Sequence, residues 1–79
     1  MARKINVRSP TEFDKALGER IGKLMKERGV TQQALGKAVG VTYQQISKYV
    51  NGDNRLGVWR FLQICSALGV DPPKILAEI

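Results

Sequence analysis

Seventy-nine residues, 43% of them hydrophobic, leave room for one small core and no second one, and that apolar share excludes a disordered chain. Thirteen Lys and Arg against seven Asp and Glu give a net charge of +6. That balance favours polyanions, nucleic acid ahead of anionic membrane, or else marks a basic surface held in solvent. One cysteine, Cys65, excludes an internal disulfide, and without histidine or a Cys-x-x-Cys spacing no metal and no cofactor is expected.

No apolar run reaches signal-peptide length or the ~20 residues of a membrane span, so a cytoplasmic, nucleoid-associated protein is expected. Residues 1–8 (MARKINVR) form a basic arm with Arg3, Lys4 and Arg8 around Ile5, Asn6 and Val7. It reads as a frayed terminus, as an arm along a phosphate backbone or in a minor groove, or as a strand pairing across a dimer. Residues 9–79 are then the single domain. Ser9-Pro10-Thr11-Glu12 starts a helix, with Ser9 as cap, Pro10 at the first helical position and Glu12 as the capping-box acid. Phe13, Ala16, Leu17, Ile21, Leu24 and Met25 recur at three- and four-residue steps, and Gly29 ends the helix after Arg28. Glu19 and Lys23 are spaced as an i,i+4 ion pair. Gly18 and Gly22 weaken the helix, and their spacing predicts a second helix passing close. Lys23, Lys26 and Arg28, towards its end, read as a solvated face within reach of phosphate.

Residues 31–52, TQQALGKAVGVTYQQISKYVNG, organise the rest. Thr31 caps a first helix, Gln32–Val39, and Gly40 supplies the left-handed residue that ends it. Thr42 caps a second helix over 43–50, with Gln45 completing a Thr-x-x-Gln capping box. Leu35, Val39, Val41, Ile46 and Tyr49 or Val50 point inward, at a spacing that packs the two helices steeply. The outer face of the second helix keeps Tyr43, Gln44, Gln45, Ser47 and Lys48, polar groups that no core accommodates without partners. Gln44 can pair bidentately with adenine in a major groove, worth about 1–3 kcal/mol of discrimination. Lys48, one turn on, can reach guanine or a phosphate. Gln32, at the positive end of its helix, suits a phosphate oxygen unless it is a plain surface residue. The cap alone explains Thr42, with a phosphate contact as its second possible job.

Gln32, Gly36, Gly40, Ile46 and Asn51-Gly52 fall where the Cro/repressor (Xre-type) helix-turn-helix family carries Gln, a small residue, Gly, an aliphatic and Asn-Gly. From about Leu17 to Leu76 the chain resembles that family. Gly36 departs from the usual Ala, keeping the close approach at ~1 kcal/mol of helix propensity. The resemblance implies an all-α, compact five-helix repressor-like domain, with the helix-turn-helix as its second and third helices and double-stranded DNA as partner. It sets Tyr43 at the first recognition position, where Gln is common and where a phenol can meet a phosphate or a thymine methyl. It sets Asn51, Asn54 and Arg55 against the second phosphate strand, with Arg60 a turn later able to join them. Gln45, partly committed to its capping box, contacts backbone more than base. Leu56-Gly57 replaces the family's Pro-Ser and weakens the cap of the following helix, while Asp53 adds a negative charge near the same strand.

Val58–Leu68 reads as a helix with Val58, Phe61, Leu62, Cys65 and Leu68 at core spacing and Gly69 as its stop. Cys65 reads as a small buried hydrophobe. Trp59 falls off that stripe and is open to three readings: a dimer contact, a DNA-backbone contact, or burial against its own chain. Asp71-Pro72-Pro73 opens a last helix with Asp71 as N-cap, and its Ile75, Leu76 and Ile79 must pack on the core or on a twin subunit. Trp59, Ile75 and Ile79 are the expected dimer interface.

Two functions of different kinds follow. The first is a sequence-specific DNA-binding regulator, a homodimeric repressor on a two-fold-symmetric operator, with its two recognition helices ~34 Å apart and no small-molecule ligand. The second is an antitoxin or adaptor that keeps the fold and binds a partner protein. It would lose polar and basic residues from the recognition face, and Gln44, Gln45 and Lys48 argue against that loss. No paired carboxylates, nucleophile motif or glycine-rich phosphate loop supports an enzyme.

Overall fold

Apolar residues repeating at three- and four-residue steps wind the first described stretch into α1 (Pro10–Glu27), and Gly29, with φ 65°, lets the chain turn away from it. In this computed structural model, which describes residues 10–79, four more helices follow: α2 (Gln32–Val39), α3 (Tyr43–Asn51), α4 (Val58–Leu68) and α5 (Pro72–Ala77). The expected five-helix, all-α architecture is thus present, with no strand among the described residues. The basic arm and the Ser9 cap lie outside them.

Local chemistry explains the boundaries. Thr31 Oγ1 accepts from the Ala34 amide at 3.0 Å, and Thr42 Oγ1 from the Gln45 amide at 3.2 Å. Gly40, Gly52 and Gly69 end α2, α3 and α4 in left-handed conformations, at φ 80°, 74° and 70°. Two expected caps differ. The return bond from the Gln45 side chain to Thr42 is absent among the described residues, which frees that amide, and Asp71 makes no side-chain cap on α5.

The core is apolar throughout the described residues. Leu17, Ile21, Leu24 and Met25 of α1 meet Leu35 and Val39 of α2, Ile46 of α3, Phe61, Ile64, Cys65 and Leu68 of α4, and Ile75 of α5. Both α1 and α2 pack on α3, α2 also packs on α4, and α5 closes against α1 and α4. Burial pushes the Cys65 thiol up, which suits its role as a small hydrophobe. No described helix is long and apolar enough to cross a membrane, and no described cluster of His, Cys, Asp and Glu could hold a metal.

Glycine decides how closely α3 is held. A Cβ at Gly18 would collide with the Tyr49 carbonyl oxygen and stand 2.6 Å from that of Val50, and one at Gly22 would stand 3.0 Å from Val50 Cγ1. The second helix expected at these glycines is therefore the last turn of α3. Gly18→Ala should lose stability although alanine is the better helix former. Overpacking costs about 1–3 kcal/mol and the propensity gain returns ~1 kcal/mol at most. A denaturation midpoint at or above that of the parent would contradict this close approach. Gly36 obeys the same logic: a Cβ there would stand 2.6 Å from the Val41 carbonyl oxygen, so the turn after α2 is closed more tightly than an alanine would allow.

Three expectations for the apolar faces are corrected. Val58 (76% exposed) and Leu62 (43%) lie outside the core, and Ile64 (0%) takes the central place. The buried stripe of α4 runs 61, 64, 65, 68, while Val58 sits at the helix start, beyond the core. Ile75 is 2% exposed inside its own subunit, so it cannot belong to a dimer surface, whereas its neighbour Leu76 is 47% exposed and Ile79 is half-buried against the core. The expected Glu19–Lys23 ion pair is not made. The ion pairs among the described residues are Arg20 with Glu78, which ties α1 to the end of α5, and Arg55 with Asp14.

Candidate nucleic-acid interface

Burial of Ile46, 1% exposed, fixes which way α3 faces. With Tyr49 and Val50 half-buried against the core, the opposite side of the helix carries Gln44, Ser47, Lys48 and Asn51, at steps of three, one and three residues, with Tyr43 flanking them on the first turn. Tyr43 is 48% exposed, and Gln44, Lys48 and Asn51 are exposed as well. Ser47 Oγ accepts a long hydrogen bond, 3.5 Å, from Asn51 Nδ2, which tethers the amide at the end of the strip. A polar strip on a helix of about 10–12 Å diameter is matched to a major groove about 12 Å wide.

Around that strip stand the groups expected to meet backbone. Gln32 is the first residue of α2, half-buried, beneath amides that no intrahelical bond uses. Thr42 is exposed at the start of α3, and Gln45 is half-buried with its side-chain amide unbonded among the described residues. In the loop over 53–57, Asn54 is half-buried, and the Arg55 side chain is 73% exposed with Nε 4.0 Å from Asp14 Oδ2. Gly52 lies on the Lys15 backbone, so α1 seats the start of this loop.

Arg60 is the exception. Its Nη1 donates to the Val39 carbonyl at 2.6 Å and to Gln63 Oε1 at 2.9 Å. The last carbonyls of α2 lack intrahelical donors and carry the negative end of the helix, so a cation from α4 clamps there. Arg60 Nη1 is thereby engaged inside the fold, as a clamp between α4 and α2 that the sequence did not suggest. Arg60→Met is expected to cost about 1–3 kcal/mol of stability, the usual penalty for an unsatisfied partner. Arg55→Ala should leave stability nearly unchanged and weaken binding to all duplexes alike. A normal unfolding midpoint for Arg60→Met would dissolve the clamp.

A second surface is apolar. Trp59 is 72% exposed, which removes the reading that it is buried in its own chain, and it shares a groove of about 470 Å³ with Ala38, Leu62, Gln63, Ser66 and Ala67. No ionisable group lines that groove. Neither Leu62 nor Leu76 had been assigned to an exposed face from the sequence, because each fell at a spacing equally suited to burial.

Comparison with known proteins agrees with this fold. A helix-turn-helix family model matches residues 21–75, more than half of the chain. The "Uncharacterized HTH-type transcriptional regulator y4wC" of Sinorhizobium fredii is 43% identical over 65 residues, covering 82% of this chain and 46% of that protein. Its counterpart y4aM is 46% identical over 63 residues, covering 80% and 44%. The chain therefore spans less than half the length of these relatives. Among solved structures, the clp gene regulator ClgR from Corynebacterium glutamicum superposes with a TM-score of 0.79 at 26% identity, over 82% of this chain and 84% of that one. The P22 c2 repressor, in complex with a synthetic operator, superposes with a TM-score of 0.71 at 32% identity, over 80% and 96%.

Proposed function

The chain belongs to the Cro/repressor (Xre-type) helix-turn-helix family of transcriptional regulators, and from that premise we propose that it is a sequence-specific, dimeric repressor reading double-stranded DNA with α3. The observation that carries the reading is the outward strip Gln44, Ser47, Lys48, Asn51, opposite a single fully buried Ile46, with exposed Tyr43 beside it on the first turn. Gln44 and Lys48 read base edges, and Tyr43 meets a thymine methyl or a phosphate. Gln32, Thr42, Gln45, Asn51, Asn54 and Arg55 hold the phosphates that fix register. The P22 c2 repressor, bound to a synthetic operator and 32% identical, supports the same mode for this chain.

Two copies related by a two-fold axis set their α3 helices one helical turn apart, ~34 Å, on one face of the duplex. Trp59, with the uncharged groove beside it and Ile79 at the far end of the chain, supplies the dimer contact. Repression follows from occupancy of a site that polymerase needs. The antitoxin or adaptor reading has less support, since the recognition face keeps its amides and its cation.

Selection of bound duplexes from a random pool, at two salt concentrations, tests the proposal. A two-fold-symmetric consensus is expected, with half-sites about 10 base pairs apart. Binding that vanishes with salt and yields no consensus would leave only a basic surface, and the partner-protein reading would replace this one.

A further inference from the structure

Beside α3 runs a groove of about 700 Å³ that the motif does not account for. Its α1 wall carries Lys15, Lys23 and Lys26, and its other walls are the start of α2 at Gln32 and the end of α3 at Asn51. The floor is apolar, formed in part by Val50, which packs closely against Gly22. We infer that Lys23 and Lys26 of α1 grip the DNA phosphate backbone through this groove, beside the bases that α3 reads. The inference rests on the DNA-binding reading above and adds to it a third helix and two cations.

Three observations carry it. First, the lysines are unneutralised. No ion pair among the described residues engages Lys15, Lys23 or Lys26, and Glu19, the one carboxylate in the groove, does not close on Lys23 although it stands four residues before it. A surface serving only solubility would gain from that pair. Second, like charges converge over an apolar floor, where the field of each is screened less than in open water and attraction for an anion is raised. Third, the opposite walls carry Gln32 and Asn51, residues assigned to phosphate contacts on other grounds, so the lysines of α1 share the groove with both. A phosphodiester suits the site better than a neutral ligand, because the polar lining consists mainly of donors.

The test removes the two charges at constant length. In Lys23→Gln/Lys26→Gln, affinity should fall alike for the selected operator and for random duplex, and the salt slope of binding should shrink by about two, one unit per phosphate contact. The consensus should not change. The control, Arg28→Gln/Lys74→Gln, removes the same net charge from a different cleft, which those residues share with Glu27 and Asp71, and it should keep a slope close to that of the parent. A groove variant whose slope matches the parent, or matches the control, would overturn the role of α1 while the operator consensus stands. A parent protein that selects no consensus would overturn both this inference and the reading beneath it. Melting curves for both variants should match the parent, since all four side chains are exposed.

Discussion

Gln44→Ala should erase the preference for one base pair in each half-site while leaving the fold untouched. Gln44 is exposed on the first turn of α3, so its loss opens no cavity and breaks no bond among the described residues. What positions it is rigid. Thr42 caps the helix start, Ile46 locks its rotation at 1% exposure, and α1 holds its last turn at backbone contact through Gly18. A long amide on such a base can place its donor and acceptor on adenine together, and that bidentate contact is worth about 1–3 kcal/mol. On a two-fold operator the loss counts twice. Selection from random duplexes with the variant should therefore return the parental consensus with one degenerate position per half-site. An unchanged consensus at unchanged affinity would remove α3 from the groove.

How much of this could be read before the structure depended on the range over which each signal acts. Thr31, Gly40, Thr42, Gly52 and Gly69 act on their own backbone within a few residues, and the boundaries they mark agree with the helices. Gly18 and Gly22 signal a close approach because nothing in an isolated helix favours glycine at that spacing. In α4 the signal was ambiguous. Eight apolar residues in eleven allow the stripe 58, 61, 62, 65, 68 as readily as 61, 64, 65, 68, and only the position of its neighbours selects Ile64 over Leu62. Arg60 was illegible for a different reason. Its partner, the Val39 carbonyl, lies 21 residues away, and a cation near a recognition loop reads as a phosphate ligand until that carbonyl is found beside it. The lysines of α1 were visible as charge, but their convergence with Gln32 and Asn51 on one groove comes from the packing of three helices.

Trp59→Ala should separate the two subunits of the proposed dimer. An exposed indole beside an uncharged groove is the kind of anchor that costs about 2 kcal/mol or more when truncated at an interface. A two-fold axis makes the contact isologous, so each Trp59 enters the groove of the other copy and both are lost together. At ~1.4 kcal/mol per factor of ten, the dimer dissociation constant should rise several-hundredfold. Sedimentation of the variant should then report a monomer at concentrations where the parent is dimeric, and unchanged sedimentation would remove Trp59 from the interface. DNA binding divides the remaining readings. If Trp59 joins subunits, affinity for an isolated half-site stays at the parental value while affinity for the two-fold operator falls, because the second half-site is no longer presented at high effective concentration. A half-site affinity that drops with Trp59→Ala would instead assign the indole to the phosphate backbone, beside the Arg55 loop.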